Sequence, residues 1–153
     1  MGITSKYNQK ELFKEFDSAF EEVKNFLIDK LFETGKRAVD IAFSDGNYVN
    51  RTGVLRSSIG CGISYGGVIL KTYGFFSVAQ EGSRGVTLGK DLLLDKLKSN
   101  VRSTEVKLAV VAGADYASFV EDSSSYTVLE SGVDFMENNL LSILKKLKVL
   151  QDE

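Results

Sequence analysis

From Leu12 onward the apolar positions fall at Leu12, Phe16, Phe20, Val23, Leu27 and Leu31, three or four residues apart, with Phe13, Phe26 and Phe32 widening the stripe. That spacing returns to one face of a 3.6-residue helix and predicts a long amphipathic helix. Asn8 and Glu11 stand in the relation of a capping box at its start, with Asn in place of the usual Ser or Thr. Gly35 interrupts the pattern at a cost of about 1 kcal/mol relative to alanine. A bend or break is therefore expected there, before Ala38, Val39, Ile41, Ala42 and Phe43 resume the stripe. Ser44-Asp45-Gly46-Asn47 supplies turn chemistry and ends the helix. So much phenylalanine exceeds what one helix needs to lie on a small sheet; most of it is expected in intramolecular core, the remainder at a neighbouring subunit.

The period changes between Tyr48 and Ile63. Asn50 and Thr52 are good N-caps, Gly53 is permissive, and Leu55 and Ile59 sit four apart around Arg56, which predicts a short capped helical turn. Gly60, Gly62, Gly66 and Gly67 around Ile63 and Tyr65 then read as a strand entering a tight turn, with Val68 to Val78 as the second arm of a hairpin. Gln80 to Gly89 is polar and carries three glycines, so a mobile loop is expected, leading to a short helix at Asp91 to Lys98. Lys90 is followed by Asp91 and not by Ser or Thr, which argues against a phosphate-binding loop. Val106 to Gly113 reads as a strand, and Ala114 to Glu121 as a helical turn with Tyr116, Ala117 and Val120 on one face. After a short extended piece at Tyr126 to Leu129, a helix from about Ser131 to Lys148 closes the chain, its late lysines complementing the dipole. The expected fold is α+β: long N-terminal and C-terminal helices, in one layer, on a curved, mainly antiparallel sheet of about four strands. Residues 1–153 are expected to form one domain, with a loop and short-helix insertion at about residues 80–104.

Composition narrows the chemistry. The chain has no histidine, which removes the usual general base, the Ser-His-Asp and Cys-His arrangements and the commonest transition-metal ligand. One cysteine, Cys61, allows neither an internal disulfide nor a cysteine zinc site. Asp17, Glu21, Glu22, Asp29 and Glu33 lie along the predicted helix surface as a solvated face. The expectation is a protein that is not an enzyme, without catalytic residues, metal or organic cofactor. A net charge of −2 from 19 basic and 21 acidic residues, well mixed, gives no field toward nucleic acid or an anionic membrane. No run of 18 or more apolar residues occurs and Met1 to Lys10 lacks a signal-peptide apolar region, so a soluble intracellular product is expected.

Two separated motifs carry a resemblance. Arg51-Thr52-Gly53-Val54-Leu55-Arg56-Ser57-Ser58-Ile59, then a glycine-rich hairpin, then Val111-Ala112-Gly113-Ala114-Asp115-Tyr116-Ala117-Ser118-Phe119-Val120-Glu121 resemble the tail-completion (neck) proteins of tailed bacteriophages, the family similar to the HK97 phage tail-completion protein. The order of helix, corner, curved sheet, Tyr-Ala-x-x-Val-Glu turn and final helix is similar over nearly the whole chain. The chain departs from the pattern at Asp122, where the family usually has Gly, and in the longer stretch from Gln80 to Thr104. The resemblance implies a structural virion protein of the head–tail junction, made in the bacterial host cytoplasm. It further implies a homo-oligomeric ring, a hexamer by preference, that touches connector or stopper and tail terminator or tube proteins and binds neither sequence-specific nucleic acid nor membrane. Its candidate assembly residues are Arg51, Thr52, Gly53, Leu55, Arg56, Ser58, Ile59, Tyr116, Ala117, Val120 and Glu121. Within them Thr52 is expected to cap, Leu55 and Ile59 to anchor the corner, and Arg56 to form an ion pair with Glu121. The alternative is a small α+β ligand-binding module or enzyme on the concave face of the sheet, using Asp40, Asp115 or Glu121 with Tyr116.

Overall fold

The computed structural model describes residues 9–122 and 127–151; Asn8 of the predicted capping box lies outside them. The first helix, α1 (Gln9–Asp45), is followed by a one-turn α2 (Val54–Ser57), the hairpin β1 (Ile59–Tyr65) and β2 (Val68–Gly74), and α3 (Gly82–Lys98). Then come β3 (Val106–Ala112), α4 (Ala117–Asp122) and α5 (Glu130–Gln151). The fold is α+β. Its sheet is antiparallel throughout, in the order β2-β1-β3.

Among the described residues the sheet has three strands instead of about four. Thr127 to Leu129 joins no strand, and Tyr126 lies outside the described residues. The hairpin turns at Gly66 and Gly67, both at positive φ, as the sequence predicts. Its second arm ends earlier than expected: Gly74 and Phe75 take φ of 97° and 58° and turn the chain inward. Ile63 pairs with Lys71 and Ser64 with Ile69, so Leu70 is left over as a bulge on β2 that bends the pair.

The sheet lies between helices on both faces, where the sequence predicts one helical layer. α1 crosses one face, with Ile28, Phe32, Val39 and Ala42 buried against Cys61 and Ile63. α1 is not broken at Gly35 but runs helical through it. A Cβ there would lie 2.8 Å from Leu108 Cδ1 and 3.4 Å from Cys61 Sγ, so glycine lets an unbroken helix approach the sheet. The opposite face is covered by α3, whose Leu93 and Leu97 pack with Phe75 and Val111.

Helix α3 is twice the length predicted, because Gly82 to Gly89 is its first half and not a mobile loop. Gly82, Gly85 and Gly89 repeat at helical spacing and are all buried. A Cβ at Gly85 would stand 2.2 Å from the Val54 carbonyl oxygen, and one at Gly89 2.4 Å from that of Ser58. They mark a close crossing of α2 by α3.

α5 packs beside α1, where the absent side chain of Gly132 admits the backbone of Ala38. The phenylalanine stripe of α1 does not end where the sequence places it. From Ile28 onward the helix is part of the core, but Leu12, Phe13, Phe16, Phe20, Val23 and Phe26 are exposed.

Candidate assembly site

The corner of the first motif is built on Gly53, whose φ of +82° is a left-handed conformation that side chains disfavour. A Cβ there would also meet the Val78 carbonyl at 1.8 Å. Thr52 is not the cap the sequence predicts: α2 has Gly53 at its N-cap and no side-chain cap bond, and Thr52 Oγ1 lies 3.5 Å from the Val54 amide. Instead the Thr52 carbonyl accepts from the Glu81 amide at 2.9 Å and ties the corner to the start of α3.

Ser58 joins the two motifs. Its hydroxyl donates to the Leu55 carbonyl at 2.7 Å and accepts from the Ala114 amide at 3.1 Å, while its carbonyl accepts from the Gly113 amide at 3.2 Å. The side chain is wholly buried, so both partners are needed to offset the loss of water. Ser57 does similar work beside it, its hydroxyl accepting from the Val78 amide at 2.9 Å. Leu55, Ile59 and Ala117 are buried in the main core, which agrees with the anchoring role expected of Leu55 and Ile59.

Arg56 and Glu121 do not form the expected ion pair. The Arg56 guanidinium donates to the Gly46 carbonyl at 3.0 Å and lies over the rings of Phe43 and Tyr48, at 5.4 and 5.5 Å from their centroids. It closes the turn after α1. The buried Tyr48 hydroxyl sits near that guanidinium without a well-formed hydrogen bond. Burial pushes the pKa of Tyr48 up, and the charge of Arg56 opposes the shift.

Glu121 has a different task. Its carboxylate accepts from the amides of Val128, Leu129 and Glu130 at 2.6, 2.9 and 2.8 Å. These are donors that the start of α5 cannot satisfy within the helix, and the negative charge suits the positive end of the dipole. One side chain thus holds the first turn of α5.

Between the two motifs opens a cavity of about 420 Å³. Leu55, Leu88 and Val120 form its more buried lining, and Arg51, Thr52, Arg84, Asp115 and Tyr116 are exposed around it. Arg51, Thr52, Leu55, Tyr116 and Val120, from both motifs, therefore meet at one groove. Gly53, Arg56, Ser58, Ile59, Ala117 and Glu121 do not line it; they shape the backbone behind it. Arg84 and Leu88 were missed because their segment reads as a loop, yet glycines at 82, 85 and 89 mark one helix face and place 84 and 88 together, one turn apart, beside it.

The groove mixes charges: Arg84 lies 3.7 Å from Glu81, and Asp115 stands on the same rim as Arg51. Among the described residues no group of three or more His, Cys, Asp or Glu is placed to hold a metal ion, and no helix is long and apolar enough to cross a membrane. Compared with known proteins, the chain matches no family model, no curated protein and no solved structure.

Proposed function

We propose that this chain is a structural virion protein of a tailed bacteriophage, a ring-forming tail-completion component of the neck. The observation that carries the reading is the meeting of the two motifs. Residues 56 positions apart in the chain are stapled through the Ser58–Ala114 hydrogen bond, and the two motifs present an open, mixed-polarity groove between them. A core-only role for Arg51 and Tyr116 would not leave both exposed on the lip of one cavity. A groove with an apolar interior and a polar rim is the anatomy of a protein contact. In the neck it receives a segment of the adjacent ring subunit or of a neighbouring connector, stopper, terminator or tube protein.

The alternative, a ligand site on the concave face of the sheet, finds less support. Both faces are covered, one by α1 and the other by α3. Of the carboxylates it would use, Asp40 accepts from the Tyr73 hydroxyl at 2.8 Å and Glu121 caps α5. Asp115 and Tyr116 belong to the groove.

The test is genetic and visual. Arg51→Glu and Tyr116→Ala alter exposed side chains and leave the corner intact, so each is expected to give full heads and free tails that fail to join or finish. Normal infectious particles from both variants, with no copy of the chain in the neck by imaging, would end the proposal.

A further inference from the structure

We infer that the N-terminal half of α1 is a pairing surface for a second copy of this chain, its apolar stripe lying antiparallel against the same stripe of the other copy. Leu12, Phe13, Phe16, Phe20, Val23 and Phe26 are each between 54% and 72% exposed. Phe13, Phe16, Phe20, Val23 and Leu27 alternate in steps of three and four, the seam spacing of paired helices. A scattered apolar residue on a surface needs no explanation, but six on successive turns do.

Area decides between a partner and an accident. At roughly 100 Å² of exposed surface per side chain, the stripe offers about 600 Å² per copy. Two stripes face to face bury more than about 1,000 Å², the size a specific interface must reach. A second copy is thus sufficient by itself to cover the stripe.

Charge argues against the other common occupant, an anionic lipid surface. Helices that lie on such surfaces flank their apolar face with Lys and Arg. Here the stretch from Lys10 to Lys24 carries five acidic residues against three basic, and Glu15 and Glu22 border the stripe itself.

The direction follows from where the rest of the protein sits. The sheet packs on the C-terminal part of α1, and α5 begins there, its Gly132 against Ala38. Ala38 is about five turns on from Phe20 and so lies on the stripe's side of the helix. Parallel pairing would force two sheet bodies, and the two starts of α5, together at one end. Antiparallel pairing centred between Phe16 and Phe20 sends each tip toward the level of Leu27 of the other copy and keeps the bodies apart. Such a pair is isologous, unlike the head-to-tail contact of a cyclic ring, and it does not depend on the virion reading.

Two measurements on the full chain decide it. Sedimentation and light scattering are expected to give twice the chain mass for the native protein. The double variant Phe16→Glu, Phe20→Glu should be monomeric with an unchanged far-UV spectrum, its dissociation constant raised at least about 100-fold because each substitution strikes a two-fold interface twice. Mixing chains bearing Leu12→Cys with chains bearing Phe26→Cys should give a mixed disulfide between them, which neither variant forms alone; Cys61 is buried and stays out of the reaction. A native monomer at about 100 μM, well above the dissociation constant of a good interface this size, overturns the inference. So does a dimer that survives the double variant, a preference for like-with-like disulfides, or a monomer that binds phosphatidylglycerol vesicles through the stripe.

Discussion

Removing the carboxylate of Glu121 should release α5 from the rest of the fold. Three amides end on that one group, at 2.6 to 2.9 Å, and each is a charge-assisted bond to a donor with no partner inside the helix. A cap substitution costs about 0.5–2 kcal/mol and a hydrogen bond to a charged group about 1.5–3 kcal/mol. Because water reaches part of this site and replaces some of what is lost, Glu121→Ala is expected to cost about 3 kcal/mol, short of the full sum. At this chain length that lowers the melting temperature by about 6–12 °C. Glu121→Gln keeps one carbonyl oxygen but turns an NH2 toward a backbone N–H, so about half that loss is expected. Urea unfolding followed by circular dichroism gives the free energies, and hydrogen exchange at Leu129 and Glu130 locates them. A double-mutant cycle with Arg56→Met should show coupling below about 0.5 kcal/mol, since the two residues share no hydrogen bond. A cost below about 0.5 kcal/mol for Glu121→Ala with unchanged exchange, or strong coupling to Arg56, would refute the reasoning.

Two further outcomes follow from the core. Gly89→Ala raises helix propensity by about 1 kcal/mol, but its methyl must enter a space 2.4 Å from the Ser58 carbonyl and 2.6 Å from the Phe75 ring; a net loss of about 2 kcal/mol is expected in urea, and equal or greater stability would contradict the close crossing. Burial pushes the Cys61 thiol up from 9.0 to about 12, with the charge of Asp40 adding to the shift. The folded state therefore holds its proton where the unfolded state has lost it, and stability should fall as pH rises from 9 toward 12, by about 1.4 kcal/mol per pH unit at most. Unfolding midpoints of wild type and Cys61→Ala across that range check the sign: the variant should fall less steeply.

What the sequence made legible was periodicity. The long stripe of α1, the Gly66-Gly67 hairpin and the strand at Val106 to Ala112 all announce themselves through spacing that any neighbours would leave unchanged. Glycine was misread wherever its reason lay in another segment. Gly35 in α1 and Gly82, Gly85 and Gly89 in α3 look like breaks, because propensity counts only the cost of a bare backbone; tertiary contact reverses the reading, since those helices approach a strand or a turn more closely than a Cβ allows. The site divided similarly. Five of the eleven motif residues meet at the groove, but the partners of Arg56 and Glu121 come from loops whose course no spacing rule supplies: the Gly46 carbonyl for one, the amides of residues 128–130 for the other. The exposure of the α1 stripe was equally hidden, since periodicity shows that a face is apolar and not what covers it.

The central place of β1 bears on how the chain is made. Its β2 edge is paired by the next residues to leave the ribosome, but its other edge waits for β3. Roughly 40 residues separate the end of β2 from the end of β3, which at 5–20 residues per second is about 2–8 s of translation. During that interval a strand of nearly continuous apolar and small residues, Ile59 to Ile63, has one row of amides and carbonyls open to any extended chain nearby. α3 emerges within the gap and can shield one face of the hairpin, though not its edge. The nascent chain is thus most prone to mispairing between the emergence of Gly74 and that of Ala112 from the ribosome, and slowing translation during that interval would lengthen the exposure of that edge.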